Sequence, residues 1–456
     1  MTFGANNPGA ASTPSDVLRP VLRLAVPVIF EQLLAMLVGF SDTLLTGWYL
    51  TRDHLAAVNS MSYLIWILSS LFVVVTIGAT ALVARSVGFG DTDAAKRTTD
   101  QAFLLGLAMS APVTVAGFLG GAWVVAVLRL PTHPSELSLE YWDILIPALP
   151  AMMFIAVGSA CLRGAGNTVA GLAIMALVNV SNVALSWSLM QGWGPFPALG
   201  WRGIAWGTSL SYQLGGLLMI ALLVRGMSGL CLRLRRPDKE LIRRILRIGV
   251  PGGADVGAVL VCQMWYLSIV NQLGALAAAA HGVAIKIEAL AYLPGLAFQV
   301  AATTLAGQYL GARDLRRANH SVLVACFACL IVMLADGCVF YFGADPLANA
   351  FVGQEQADVA DQAAPLLRTI ALGTPALALL TVFTGALRGS GDTRWALLFT
   401  LIGFLVVRIP LTYALTVWIV EWGVQGAWYA MVADLYVRAA LVTYRFRHGG
   451  WTRVVV

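Results

Sequence analysis

Three carboxylates stand where an apolar sequence should not hold charge. Asp42 interrupts the run from Leu33 to Leu50, in company with Thr43 and Thr46. Placing an ionisable group in an apolar helix costs roughly 2.5–3.5 kcal/mol on insertion scales, so such a residue marks a functional site by default. Its chemistry would be the uptake and release of a cation, H+ or Na+. The competing reading is a carboxylate near a helix end, hydrogen-bonded to Thr43, Thr46 or Asn182. Glu31 and Asp255 form a second set. Each follows a proline by four residues (Pro27, Pro251), and the two acids stand 224 positions apart. They are candidates to bind substrate cations or protons, or to form part of an inner gate; a pair capping nearby backbone is the alternative. The eleven residues between Glu31 and Asp42 make about three helical turns, which turns both to one side unless Pro27 kinks the helix.

Softer candidates surround these acids. Tyr266 lies 224 positions after Asp42, flanked by Gln263, Met264 and Trp265. Aromatic and methionine side chains can stack on or adapt to flat organic cations, although helix packing is their commoner role. Asn179, Gln213 and Asn271 are further polar candidates. Glu288, two residues after Lys286, either contributes to the same chemistry or pairs with a neighbouring helix. Asp434 and Arg438 are spaced i, i+4, which predicts a local ion pair. Cys326 and Cys329 form a CxxC without further ligands nearby, so all six cysteines are read as small apolar helix residues and no metal site is expected.

The elements that must carry these residues are membrane helices. The chain is 59% hydrophobic and only 11% charged over 456 residues, with mean hydropathy +0.79. A soluble fold is roughly 25% charged and could not hide this much apolar surface, whereas a bilayer can. Apolar runs predict spans near 18–49, 55–85, 99–128, 137–160, 168–191, 200–226, 245–272, 276–306, 317–343, 361–386, 395–420 and 424–446. Clusters of arginine and lysine fall in alternate loops, densest from Arg225 to Arg247, while the loop near 345–361 is acidic (Asp345, Glu355, Asp358, Asp361). The positive-inside rule then places both termini in the cytoplasm of a multi-pass inner or plasma membrane protein. The net charge of +6 is absorbed by this topology, so no nucleic-acid partner is expected.

The sequence also repeats. Arg23-Leu-Ala-Val-Pro27 recurs as Arg247-Ile-Gly-Val-Pro251, Leu162-Arg163-Gly164 as Leu387-Arg388-Gly389, Gly88 as Gly311, and Gly200 with Gly203 as Gly423 with Gly426. Spacings of 223–225 imply a parallel duplication of six helices. The expected layout is a cytoplasmic tail over 1–17, a six-helix lobe over 18–228, a basic linker over 229–244, a second lobe over 245–447 and a tail over 448–456. The fold class is therefore all-α, with twelve transmembrane helices in two bundles. Two such lobes create a cleft suited to alternating access.

In order and duplication, several motifs resemble the multidrug and toxic compound extrusion (MATE) family. They are Pro27-x-x-x-Glu31-Gln32, Phe40-Ser-Asp42-Thr43 with Gly47, Leu162-Arg-Gly-Ala-Gly-Asn167-Thr168, Lys286-x-Glu288, Gly307-Gln308-x-x-Gly311-Ala312 and Leu387-Arg-Gly-Ser-Gly-Asp392-Thr393. The resemblance runs from about Arg19 to Arg447. It implies export of amphipathic, mostly cationic organic compounds, driven by inward H+ or Na+. It makes Asp42 the main ion-coupling carboxylate and Asn182 its partner on the fifth helix, with Ser186 where the family's fifth-helix Asp would stand. Gln32 joins the substrate and gate candidates through the same motif. The branch of the family with acids in its second lobe would place them at Val259 and Leu377, so this chain departs from it. A lipid-linked oligosaccharide flippase of the same superfamily is the second reading. An enzyme is not expected, because no HExxH, no GxSxG elbow and no P-loop occur. No cofactor beyond the coupling ion is implied, and one chain holding both lobes should function as a monomer.

Overall fold

In lipid a helix satisfies every backbone N–H and C=O within its own segment, and the apolar runs fold accordingly. The computed structural model describes residues 14–233, 235–352, 357–418 and 422–454, and no strand occurs among the described residues. Most of the expected N-terminal tail, Glu355 and the last two residues of the chain lie outside them.

The helices are α1 (Pro14–Tyr49), α2 (Arg52–Ser70), α3 (Val73–Phe89), α4 (Thr92–Val127), α5 (Thr132–Leu145), α6 (Leu149–Gly164), α7 (Val169–Gln191) and α8 (Trp201–Val224). The second half continues with α9 (Lys239–Gln272), α10 (Ala275–Gly311), α11 (Leu315–Phe342), the short α12 (Ala344–Phe351), α13 (Ala357–Ser390), α14 (Thr393–Leu401), α15 (Ile409–Tyr413) and α16 (Gly423–His448). Ten helical spans are long and apolar enough to cross a bilayer, and an eleventh arises if α2 and α3, bent by 42° at Leu71 and Phe72, are one crossing. The twelfth expected span corresponds to α16, whose buried Asp434 and Arg438 dilute its apolar run. Two further expected spans are interrupted. Pro147 lies in a 3-10 turn over Ile146–Ala148 that separates α5 from α6, and π-helical turns over Ile402–Arg408 and Ala414–Trp418 flank α15. The basic linker is also shorter than expected, because α9 begins at Lys239. There the Asp238 carboxylate accepts from the amides of Glu240 and Leu241, as an N-cap should.

The chain forms two compact units, one over Pro27–Gly249 and one made of the described chain up to Val26 with Val250–Val456. Within Pro27–Gly249 the linker is fastened to α4. The Asp100 carboxylate accepts from the Arg233 amide at 2.8 Å and pairs with Arg235. Gln101 donates to the Arg236 carbonyl and accepts from the Asp238 amide. The first turns of α9 then press on α3, where Gly78 and Gly249 have no room for a Cβ against the Ile245 and Val74 carbonyls.

The duplication holds down to single contacts. Thr80 on α3 donates to the Ala160 carbonyl on α6, and Thr303 on α10 to the Gly385 carbonyl on α13. One turn later, Gly164 and Gly389 sit against the carbonyls of those same threonines. Both helices end on a glycine in the left-handed region, Gly166 and Gly391. In each, the next residue's amide returns to a leucine carbonyl at 2.8 Å, Asn167 to Leu162 and Asp392 to Leu387.

Candidate functional site

Asp42 projects from α1 into the interior of the Pro27–Gly249 unit, where it is 3% exposed. Its carboxylate accepts from the hydroxyls of Tyr141 (α5, 2.9 Å) and Thr208 (α8, 2.7 Å) and from the Asn182 amide (α7, 3.2 Å). Asn182 also donates to Thr208 at 2.9 Å, so the four side chains close into one ring. Three helices besides α1 thus hold one carboxylate, and no cationic side chain among the described residues takes part. Small residues make this approach feasible: Gly207 on α8 leaves the space that Ser186 on α7 occupies. Ser186 does not reach Asp42. Its hydroxyl donates to the Ile204 carbonyl, and it stands 3.5 Å from Asn182. The carbonyl oxygen of Asn182 is buried without a hydrogen-bond partner among the described residues.

The alternative partners read from the sequence resolve differently. Thr43 donates to the Gly39 carbonyl and Thr46 to the backbone carbonyl of Asp42, as hydroxyls in apolar helices do; neither reaches the carboxylate. Of the three, only Asn182 does. Tyr141 and Thr208 were not legible as partners. Thr208 did leave a trace, because it follows Gly203-x-x-x-Gly207, a small-residue pattern that marks close helix approach. Tyr141 left none.

Glu31 also faces α7, packing on Gly171. Eleven residues on, Asp42 meets Asn182, and between them Asn179 donates to the Leu34 carbonyl at 2.8 Å. Helices α1 and α7 therefore run in the same direction. Among the described residues Glu31 caps no backbone. It binds Arg163 at 3.0 Å, and its repeat counterpart Asp255 binds Arg388 at 2.7 Å. The motif arginines Arg163 and Arg388 are thus the internal counter-ions of the symmetric acids. Gln32 is half-buried beside Glu31, and half-buried Gln213 donates to Ser209 one turn earlier.

In the Val250–Val456 half the counterpart region is built differently. Leu377 is fully buried and Val259 half-buried, so no acid stands at either place. Arginines converge on a single acid instead. Asp434 receives a bidentate pair from Arg438 (2.8 and 2.7 Å) and a further bond from Arg408 at 2.8 Å. All three residues are at most 8% exposed at the side chain. Arg408 also donates to Gln263, and both guanidiniums lie within 5 Å of the Phe404 ring. The pair expected from the i, i+4 spacing of Asp434 and Arg438 is thus part of a larger cluster. A glycine at 403 is required, since any Cβ there would strike Asp434 and Arg438. Tyr266 is buried edge-on to His281, which accepts from Trp428, while the Arg408 guanidinium sits 5.6 Å from its ring centre. Met264 and Trp265 are instead 59% and 45% exposed. The stretch 263–266 therefore does not act as one patch. Glu288 is half-buried and forms no ion pair among the described residues, although it lies within electrostatic reach of Arg408.

A family model for MatE matches residues 27–188 and 256–414, one segment in each half of the repeat. The chain belongs to the MatE family. Among curated relatives, the "Probable multidrug resistance protein NorM" of Thermotoga maritima is 26% identical over 442 residues, covering 97% of this chain and 94% of that protein. The "Multidrug resistance protein NorM" of Photobacterium profundum is 26% identical over 437 residues, 94% of this chain and 95% of its own length. Among solved structures, an outward-facing multidrug resistance MATE family transporter of the MOP superfamily superposes with a TM-score of 0.88 at 21% identity, over 98% of this chain and all of that one. A MOP superfamily transporter from Pyrococcus furiosus, described as having a binding pocket of reversed polarity, gives 0.87 at 22% identity over 98% of this chain and all of its own. This MatE chain is accordingly a multi-pass, two-lobed helical membrane protein of a transporter family.

Proposed function

We propose that this MatE protein exports amphipathic, mostly cationic organic compounds in exchange for H+ (or Na+), with Asp42 as the carboxylate that carries the coupling ion. The relatives named as multidrug resistance proteins support drug export as the activity. The observation that carries the coupling role is the ring around Asp42: a buried carboxylate with three neutral partners and no counter-cation. A structural carboxylate at such depth normally has a cation to offset its burial. The ring suits a proton better than Na+, because all three partners now donate, whereas a metal ion needs oxygen lone pairs turned inward. If Asp42 takes a proton, either hydroxyl can rotate and accept from it, so the network survives both states. Glu31 with Arg163 and Asp255 with Arg388 then serve as matched polar joints within each half, while Glu288 and Gln263 border the arginine cluster as cargo contacts. In this reading the protein is a non-enzymatic transporter of the cell membrane, with both termini cytoplasmic, working as a monomer without nucleic acid or cofactor.

The test is uptake or extrusion of a fluorescent organic cation in proteoliposomes under imposed H+ or Na+ gradients, with wild type beside Asp42→Asn. Transport driven by one gradient and abolished in a normally inserted variant is the expected result. Full transport by Asp42→Asn would overturn the assignment. The flippase reading draws on one observation, the excess positive charge of Arg408 and Arg438 over Asp434, which would suit an anionic cargo. Movement of a lipid-linked phosphate substrate, with none of the cation, would favour it.

A further inference from the structure

The repeat extends further toward the start of each half than the motifs above. Asp16, Arg19, Arg23, Pro27 and Glu31 on α1 align with Glu240, Arg243, Arg247, Pro251 and Asp255 on α9, every pair 224 positions apart. The acids and prolines have clear local reasons. Asp16 and Glu240 occupy the first turn of their helices, where negative charge complements the helix dipole. The arginines come as like-charged pairs. Two like charges one turn apart repel and weaken a helix, yet both copies keep them. All four side chains are exposed. Arg243 and Arg247 enter no ion pair among the described residues, and Lys239 and Arg244 add to their face.

We propose that Arg19 with Arg23, and Arg243 with Arg247, are two matched phosphate-binding dyads that hold headgroups of anionic phospholipids. The depth fits. Each span is 34 residues long, about 51 Å at 1.5 Å per residue. Against a hydrocarbon core of about 30 Å, the first turns of each helix must lie among the headgroups or just beyond. The chemistry fits as well, since paired guanidiniums match phosphate oxygens in fork geometry and an anion between them turns repulsion into attraction. The surroundings point to lipid and not to free phosphate. Leu18, Arg19, Leu22 and Arg23 line one surface pocket, and Val26 and Val250 are exposed beside the two dyads at 44% and 52%. An apolar wall next to guanidinium is a surface for a phosphate that carries chains.

The test uses the full chain in nanodiscs of phosphatidylcholine doped with spin-labelled phosphatidylglycerol or phosphatidylcholine, which reports the preference of the protein-bound shell. Wild type should favour phosphatidylglycerol about fivefold or more, from roughly 1 kcal/mol per basic residue at the surface. The variant R19Q/R23Q/R243Q/R247Q should lose most of that preference. A control of equal charge change, R52Q/R129Q/R202Q/R368Q, should keep it, and millimolar inorganic phosphate should leave it unaltered. Equal loss in both variants would reduce the effect to net charge and overturn the dyads, as would retention by the first variant. Displacement by inorganic phosphate would overturn the lipid assignment. Should the glutamine variant not insert, the four-lysine variant takes its place; a clear fall in preference would support fork recognition, and an unchanged preference would overturn it.

Discussion

The two halves of this protein share a frame and differ in the sign of the charge inside it. In the first half the interior holds Asp42, ringed by Tyr141, Asn182 and Thr208, with no cation in contact. In the second half it holds Arg408 and Arg438 around Asp434, two positive charges to one negative. Backbone-level contacts, Thr80 to Ala160 and Thr303 to Gly385, are the same in both. Duplication therefore preserved what positions the helices and left the buried charges to diverge. A lone acid with neutral partners can change its ionisation without stranding a counter-charge. A cross-linked acid cannot; the second interior ties α16 to the π-helical turn, and the first is free to play the ion-carrying part proposed for Asp42.

That contrast is open to attack at four points, from the largest effect down. Asp434→Leu leaves two buried guanidiniums without their acid, and breaking a buried pair costs on the order of 3–5 kcal/mol. The melting temperature in detergent should fall steeply, whereas Asp42→Asn should leave it within a few degrees. Similar losses in the two variants would erase the distinction. Arg408→Leu removes only the excess cation and keeps the bidentate Arg438 pair, so melting should fall far less than in Asp434→Leu; an equal fall would mean that the cluster acts as an indivisible triad. Next come the symmetric joints. Glu31→Gln and Asp255→Asn should each destabilise by about 1–3 kcal/mol, by leaving a charged partner unsatisfied. Restoration of stability by Glu31→Arg with Arg163→Glu would show that charge pairing alone is needed. Smallest is Tyr141→Phe, which takes one of three donors from Asp42 and leaves the other two in place. Its effect should appear in the ion dependence of transport and not in expression; an unchanged ion dependence would remove Tyr141 from the ring's function.

The sequence disclosed the frame well because its signals are local. Apolar runs, the alternation of basic loops and the repeated Leu-Arg-Gly motif each report on a few adjacent residues, and the helices fall close to where those signals put them. The site was legible by halves. Asp42 stood out because charge in an apolar run is conspicuous, and Asn182 came from the resemblance to the family. Tyr141 was invisible, and Thr208 left only the glycine pattern before it: a threonine hydroxyl in a membrane helix normally satisfies itself on its own backbone, as Thr43 and Thr46 do. Whether it turns to a neighbour depends on helix rotation, which no local pattern encodes. The arginine cluster was missed for the opposite reason. Asp434 and Arg438 advertised a complete local pair, and Arg408, 26 residues before Asp434, gave no sign of joining it.

The glycines at 164 and 389 carry a consequence for how such a chain can change. Each touches a threonine carbonyl so closely that no other residue fits, so the same seam is fixed in both halves. A change in the buried charges beside these seams then requires no new architecture. It needs a handful of side chains rewritten inside one half, while the other half goes on folding to the same pattern.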